Sequence, residues 1–392
     1  MKDIVVLGAT GSIGKQTLDI LKYSYDYNLV GITFFSSIEE IEPYLFYFPN
    51  LKYVGIVDKN AANEFEKTHS NYKIISGSDA SEKLLELNKG ATVVNSILGN
   101  AGLFPTLKAL SLNQTLLLSN KESLVVGSTL VSAALKTSRS KIFPIDSEHV
   151  ALNKLLNELK EKKINQDKVK SYIITASGGA LYGLSKKELN KVKAEQVLHH
   201  PTWAMGKKIT IDSATLINKA YEVIEASVLF NIPLEKIKPL ICRSSLIHAA
   251  LDLDDNSRLV ELSPVDMKVS IAFALSNGLT KAHEINIDEK KKLENITLEE
   301  IDYSFYPCYE LTLNMYKEFG NVGMIYFNVL DTMLIESFLN NKIPFTDIYN
   351  GLNYLYQNFN IKEKLTTSNI HMISSDAFDL AKDIVTNKKY LS

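Results

Sequence analysis

The stretch DIVVLGATGSIGKQTLDIL, residues 3–21, decides the fold. Asp3 to Gly8 form an apolar run of strand length, and an amphipathic segment of helix length follows the turn GATGSIG (8–14). Gly8, Gly11 and Gly14 stand between the two at GxxGxxG spacing. Glycines at such a junction allow a tight turn, close approach of backbone to a pyrophosphate, and tight helix–strand packing, with the helix N-terminus facing the anion. A glycine triplet can also be a purely structural turn. Its position at the first βα junction is what points to a dinucleotide.

The same alternation continues to about residue 146. Strand-like runs occur at 3–8, 29–35, 53–58, 73–76, 92–99, 115–119 and 141–146, most of them separated by helix-length segments. This βαβα order, with near-continuous apolar strands, predicts a parallel sheet covered on both faces. Ligands in such sheets gather at the carboxyl ends of the strands. Folds that prefer NAD carry an acid about 20 residues beyond the glycines. Here the second strand ends in TFFSS, with no acid before Glu39, so Thr33, Ser36 and Ser37 are candidate donors to a 2′-phosphate and NADP is favoured. No Lys or Arg stands beside them in sequence to neutralise it.

Beyond residue 150 the pattern changes to α+β. SKKE predicts a helix capped at Ser185. HHPTWAMGKK (199–208) has no clear period, and residues 212–230 read as one helix capped by Asp212 or Ser213. Residues 244–263 read as two antiparallel strands joined by the turn DDNS. The hydrophilic tract 281–302 reads as a connector, and from Pro307 the chain reads as a helical bundle with Thr346 and Ser375 as caps. The expected architecture is α/β: a Rossmann-like parallel sheet over 1–146, a central α+β catalytic domain over 147–281 with a lid loop, a connector over 282–306, and an α-helical domain over 307–392.

Composition narrows the function classes. The chain has 392 residues, 45% apolar and 22% charged, which is ordinary for a globular enzyme of more than one domain. A formal net charge of −2 gives no electrostatic reason to expect nucleic acid or an anionic membrane as partner. Cys242 and Cys308, far apart and without a CxxC, exclude a disulfide scaffold and suit a reducing compartment. The first strand starts at once, so no signal or transit peptide is expected, and no run is expected to approach the ~20 apolar residues of a membrane span. A cytoplasmic protein is expected.

The stretch FPIDSEHV (143–150) sets two carboxylates and an imidazole against the apolar end of a strand. Buried carboxylates need compensation, from water, an ion pair or a metal. Asp146 and Glu148 are two residues apart, so in extended backbone both point to one side. Asn218, Lys219 and Glu222 share a helix face. With Glu222 added to Asp146 and Glu148, the donors suit a hard divalent cation. Alternatively Glu222 pairs with Lys219 and Asp146 caps the next helix, and each of these readings stands beside the metal. Ser177, Ser213, Asn218 and Lys219 supply donors suited to a phosphate, although Ser and Asn near glycines also mark turns. Trp203, the only tryptophan, is either a lid over a ligand or an aromatic anchor.

Taken together these motifs resemble the 1-deoxy-D-xylulose 5-phosphate reductoisomerase family. GATGSIG, GNAGLFPTL (99–107), NKESLV (120–125), PIDSEH (144–149), SGG (177–179), HPTWAMGKKITIDSAT (200–215) and NKAYEVIEA (218–226) come in that family's order and spacing. The resemblance implies a homodimeric oxidoreductase and isomerase that uses NADPH and one Mg²⁺ or Mn²⁺ per subunit. Its reaction belongs to isoprene biosynthesis by the methylerythritol phosphate pathway: retroaldol–aldol rearrangement, then hydride reduction. It assigns the metal to Asp146, Glu148 and Glu222, and Lys121 to the catalytic centre near the nicotinamide. Substrate falls to Ser147, Ser177, His200, Trp203, Ser213, Asn218 and Lys219. The nucleotide falls to Gly8, Thr10, Gly11, Ser12, Ile13, Gly14, Ser36, Ser37, Gly99, Asn120, Lys121, Glu122, Met205 and Gly206.

The chain departs from the family pattern at several places. The usual His-Pro-Gln-Ser run is Cys242-Arg243-Ser244-Ser245, SGGPF is SGGAL, NKGLE is NKAYE, and Phe35-Ser36-Ser37 replaces a Gly-Lys-Asn-like stretch. The helix near Asn328 lacks the usual Asn-Glu pair. Altered kinetics, and some relaxation toward NADH, are expected. Two other readings compete. A semialdehyde dehydrogenase needs a cysteine nucleophile, and Cys242 has no paired histidine nearby in sequence. A catalytically silent nucleotide-binding regulator has no reason to retain all three carboxylates.

Overall fold

All seven expected runs form strands, and the central ones, such as residues 4–7 and Thr92–Asn95, are buried on both faces. In the computed structural model, which describes residues 1–278 and 296–391, β1 (Lys2–Leu7), β2 (Tyr27–Phe34), β3 (Tyr53–Ile56), β4 (Lys73–Ser76), β5 (Thr92–Asn95), β6 (Leu116–Leu118) and β7 (Ile142–Pro144) build one sheet. The order is β4-β3-β2-β1-β5-β6-β7 and every pairing is parallel. The chain builds outward from β1 to β4, then returns to the other side of β1 for β5. The switch point therefore lies between β1 and β5, beside the glycine turn.

The chain divides into two compact units. The first contains residues 1–124, 130–150 and the described residues 266–278; the second contains 125–129, 151–265 and the described residues from 296. In the first unit the helix Met267–Leu275, capped by Asp266 Oδ1 accepting from the Lys268 amide at 2.8 Å, returns to the sheet. Its Ile271, Ala274 and Leu275 join the buried cluster of Ile4, Val6 and Ile32.

The second unit carries a four-stranded sheet in the order β11-β10-β8-β9, formed by β8 (Val169–Ala176), β9 (Ile237–Ile241), β10 (Ile247–Leu253) and β11 (Arg258–Leu262). β10 and β11 are the expected hairpin. β9 has no counterpart among the expected strands; it contains Pro239, which an edge strand tolerates. The Ser185–Glu188 capping box is present.

The single helix expected over 212–230 is two. Lys207–Thr215 and Ile217–Phe230 are separated by Leu216, whose φ of 59° is left-handed, so Asp212 and Ser213 lie in the last turn of the first helix and cap nothing. A left-handed leucine costs roughly 1–2 kcal/mol, and burying a leucine side chain contributes about 1.5–3 kcal/mol. Leu216 is 1% exposed, so burial wins.

The C-terminal region is helical: Pro307–Leu339, Thr346–Asn358 and Ile370–Thr386. Pro307–Leu339 is long and apolar enough to cross a bilayer, against the expectation that no such run exists. Its Met315, Met324, Phe327, Leu330 and Leu334 are instead fully buried in this unit, where it packs on the two helices that follow. Gly320 breaks it, with φ 57° and ψ −147°. Thr346 is the first helical residue and bonds Asn190 at 2.9 Å, and Ser375 lies inside the last helix, so neither is a cap. Of the tract 281–302, residues 281–295 lie outside the described residues, as do 282–295 of the expected connector.

Asn231, exposed and left-handed (φ 52°), ends the helix Ile217–Phe230. Asn231→Gly should hold or raise stability, whereas Asn231→Val should lower it by roughly 1 kcal/mol or more in urea unfolding.

Candidate cofactor, metal and substrate sites

At the switch point the glycine turn is closed by contact. Gly8 has φ 78°, and a Cβ on it would lie 2.8 Å from the Ser96 carbonyl oxygen. A Cβ on Gly14 would lie 2.3 Å from the Gly8 oxygen and 2.7 Å from Ala9 Cα. Only glycine fits either place, so the backbone can approach a ligand at the N-terminus of the helix Ser12–Leu21, the cradle a pyrophosphate requires. Thr10, Gly11, Ser12 and Ile13 lie in this turn and the first helical turn. Ser96, which sequence reasoning missed, donates from Oγ to the Leu7 carbonyl at 2.7 Å and so pins β1 to the chain after β5.

Thr33 is not free to meet a 2′-phosphate. It is 1% exposed, its Oγ1 accepts from the Gly8 amide at 3.3 Å, and its carbonyl accepts from the Ala9 amide at 2.7 Å. Its hydroxyl supports the turn. Ser36 is exposed and Ser37 half-buried just beyond β2. Lys15, distant in sequence, bonds Glu40 in the segment that follows them, and so brings a cation to this part of the unit.

The segment from Ile97 to Gly102 is shaped by Asn120, whose Nδ2 donates to the Ile97 and Gly99 carbonyls, both at 2.8 Å, and to Glu122 at 3.0 Å. Its Oδ1 accepts from the Ser123 amide at 2.9 Å. Next to it, Lys121 Nζ meets Asp146 Oδ2 at 3.0 Å. The backbone carrying Asp146 and Glu148 is not extended as expected, because the helix Ser147–Glu161 begins at once. Asp146 Oδ1 accepts from the Glu148 amide at 3.2 Å, and Ser147 donates to Glu148 at 2.6 Å.

In the second unit Asn218, Lys219 and Glu222 do share one helix face. Asn218 donates to Glu222 Oε1 at 2.5 Å and Lys219 to Oε2. Lys219 and Glu222 are 3% and 1% exposed, so this pair is held out of water. All three candidate metal ligands are carboxylates, an all-oxygen set that fits a hard cation such as Mg²⁺.

Ser177 sits in a turn beside Gly178 and Gly179, whose φ values are 79° and 69°. Gly179 packs so closely on the helix Lys207–Thr215 that a Cβ would lie 2.6 Å from Ala214 Cα, which brings the turn against Ser213. His200 Nδ1 accepts from the Trp203 amide at 3.0 Å and from the Thr202 amide at 3.3 Å. Nε2 therefore carries the proton and donates to Ser177 Oγ at 2.8 Å. Burial, with the charge of Arg243, pushes this imidazole down to about 4, so it is neutral in the neutral pH range. Trp203 is half-buried, its ring edge-on to His248 at 6.2 Å. Met205 is half-buried and Gly206 exposed where this segment enters the helix.

Sequence reasoning also missed a buried charge cluster. Lys208 Nζ lies 2.7 Å from Asp212 and 2.6 Å from Asp331, on the helix Pro307–Leu339. Burial opposes the Lys208 charge, but the two carboxylates outweigh it and hold the ammonium well above its usual range. Burial first, then Asp212, pushes Asp331 up to about 7 against the pull of Lys208.

A glycine cradle at the switch point of a parallel sheet, with a lysine–aspartate pair at the end of a neighbouring strand, defines a dinucleotide-dependent α/β oxidoreductase. Family models described as 1-deoxy-D-xylulose 5-phosphate reductoisomerase match residues 4–128, and those described as its C-terminal domains match 142–230 and 262–378. The chain belongs to the 1-deoxy-D-xylulose 5-phosphate reductoisomerase family. A relative of that name from Clostridium kluyveri is 36% identical over 396 residues, covering 100% of this chain and 98% of that protein. One from Thermodesulfovibrio yellowstonii is 36% identical over 350 residues, 89% of this chain and 90% of that protein. Among solved structures, the reductoisomerase in complex with NADPH, fosmidomycin and magnesium has a TM-score of 0.89 at 27% identity, covering 99% of both chains. The Zymomonas mobilis enzyme in complex with NADPH has a TM-score of 0.86 at 29% identity, covering 98% of both.

Gly14→Ala should weaken NADPH binding at least tenfold in a fluorescence titration and lower stability by about 1–3 kcal/mol, because the turn has to open. Asp331 has a raised folded-state pKa, so its protonated form stabilises the fold below the unfolded value near 4, and that contribution is lost as pH rises toward 7. Thermal midpoints measured from pH 5 to 8 should fall less steeply for Asp331→Asn than for the wild type.

Proposed function

We propose that the protein converts 1-deoxy-D-xylulose 5-phosphate to 2-C-methyl-D-erythritol 4-phosphate with NADPH and one divalent cation per subunit, Mg²⁺ or Mn²⁺. The observation that carries this reading is the position of the first unit's candidates. Gly8, Ser36, Gly99, Lys121 and Asp146 all follow the carboxyl ends of strands of one parallel sheet, after β1, β2, β5, β6 and β7. Nicotinamide and substrate chemistry belong at that edge.

Asp146, Glu148 and Glu222 are the proposed metal ligands. Lys121 sets a cation beside the half-buried Asp146 and Lys219 one beside the buried Glu222, which offsets the cost of taking these carboxylates from water. When bound, the cation supplies Lewis-acid polarisation of the substrate's ketone and NADPH supplies the reducing equivalent. The chain's own groups bind and orient. Ser147, Ser177, Ser213, Asn218 and Lys219 donate to substrate hydroxyls and phosphate, and Lys121 steadies the reacting end. His200 acts as a neutral donor to Ser177, with its Nδ1 occupied by backbone amides. Trp203 and Met205 serve as the lid that excludes water. Gly206, Thr10, Ile13, Ser37, Asn120 and Glu122 complete the nucleotide assignment.

The reading includes a cytoplasmic homodimer, in keeping with the near-neutral charge, with no nucleic-acid or membrane partner. Its working parts are the nucleotide-binding region 1–146, the catalytic region 147–281, the connector 282–306 and the helical region 307–392.

NADPH oxidation with 1-deoxy-D-xylulose 5-phosphate should require Mg²⁺ or Mn²⁺, stop with EDTA, and fall at least about 100-fold in kcat for Glu222→Gln. NADPH should outperform NADH. Turnover indifferent to chelation would remove the metal assignment.

A further inference from the structure

Three consecutive carbonyls of the turn at Ser177 are held from one side. Arg243 Nη1 donates to the Ser177 carbonyl and, at 3.1 Å, to that of Gly179, while the Tyr306 hydroxyl donates to that of Gly178 at 2.8 Å. On the other end of these peptides, the amides of Gly178 and Ala180 have no acceptor among the described residues. Ser177 Oγ already accepts twice, from His200 Nε2 at 2.8 Å and from the Gly179 amide at 3.0 Å, so its own proton is left to donate outward. With its carbonyls already engaged, the groups this turn has left to offer are donors, which suits an anion.

Within the cluster of Ser177, Gly178, Gly179, Tyr182, His200 and Tyr306, Arg243 carries the one permanent charge. His200 is neutral, and Tyr182 and Tyr306 are phenols raised above their usual range, Tyr182 chiefly by its bond to Glu299 and Tyr306 by burial. Among the described residues the carboxylates that reach this neighbourhood are Glu299, engaged by the Tyr182 hydroxyl and by Thr297 at 3.1 Å, and Asp302, which acts on Tyr306 from a distance and accepts from Ser304. Among the described residues neither pairs with Arg243, whose guanidinium lies on the Tyr182 ring at 4.4 Å. Two of its five N–H donors are used on carbonyls, and no carboxylate among the described residues cancels its charge. A cation on the carbonyl end of a peptide draws electron density from its N–H end, making that amide a better anion donor.

We propose that Arg243, which stands where the family pattern has another residue, is a positioning residue that charges the Ser177–Gly179 turn from behind and makes it select a phosphate dianion over a monoanion. The inference rests on the reading above, in which this turn takes the substrate's phosphate. Arg243 does not touch the substrate. It sets the orientation and polarity of the peptides that do.

The test compares Arg243→Gln, Arg243→Lys and Tyr306→Phe, the last removing one carbonyl bond without changing charge. KM for 1-deoxy-D-xylulose 5-phosphate is measured from pH 5.5 to 7.5, across the second ionisation of a phosphate ester near 6, and at two ionic strengths. Arg243→Gln should raise KM about tenfold or more with kcat within about threefold, and flatten both the pH and the salt dependence of KM. Arg243→Lys should keep most of both dependences, and Tyr306→Phe should raise KM less and leave them as in the wild type. Thermal protection by inorganic phosphate, measured on the same proteins without substrate, should be lost in Arg243→Gln alone. If Tyr306→Phe reproduces Arg243→Gln in every readout, or if Arg243→Gln keeps the wild-type salt and pH dependence, the role is structural and the proposal falls. A wild type protected by phosphate but inert toward the phosphosugar would instead overturn the functional reading and leave this one standing.

Discussion

A carboxylate taken out of water needs a cation or several donors beside it, and three lysines meet that need in this chain. Lys121 sits against Asp146 in the first unit; in the second, Lys219 sits against Glu222, and Lys208 lies between Asp212 and Asp331. The first two pairs set a cation against two of the proposed ligands. The third ties the helix that follows the proposed lid to the long C-terminal helix. Breaking a pair by removing one partner leaves an uncompensated charge, which costs more than the pair itself contributes. The segments carrying these residues are therefore fixed by electrostatics as well as by packing.

The candidate sites are built from two kinds of group. In the first unit the candidate nucleotide site is shaped by backbone, with glycines lacking Cβ at the switch point and carbonyls steered by Asn120, while Lys121, Asp146 and Glu148 are side chains that follow strand ends. In the second unit candidate side chains are held by other side chains, as in Ser177–His200 and Asn218–Glu222. A site of the first kind tolerates changes of side chain but not of glycine. One of the second kind tolerates substitutions such as Cys242-Arg243-Ser244-Ser245 when the replacement finds new acceptors, as Arg243 does on the turn carbonyls.

The parallel sheet was legible because its central strands are buried on both faces and so read as apolar runs, while the edge strand β4 is short and partly exposed. β5 stops at Asn95, short of the expected 99, because Asn95 and Asn120 draw the following segment into a loop. β9 was hidden by Pro239, a poor strand residue whose edge position only the pairing reveals. Thr33 looked like a surface donor because composition does not report depth. The backbone at Asp146 and Glu148 turned helical rather than extended, since Asp146 accepts from the Glu148 amide and starts a helix there. Arg243, Tyr306 and Asp331 were out of reach for a plainer reason: each acts on residues far away in sequence.

The left-handed residue at Leu216 changes what two neighbouring stretches can share. An uninterrupted α-helix advances about 100° per residue, so Ser213 and Asn218, five apart, would be offset by about 140°, and Ser213 and Lys219 by about 120° the other way. No small molecule could lie against all three. Leu216 resets the phase between the helices, and it does so without adding a residue. A single buried leucine thereby frees the angular relation of two donor sets from the helical repeat, so that substitution at 216 would retune their geometry even though its side chain faces the interior.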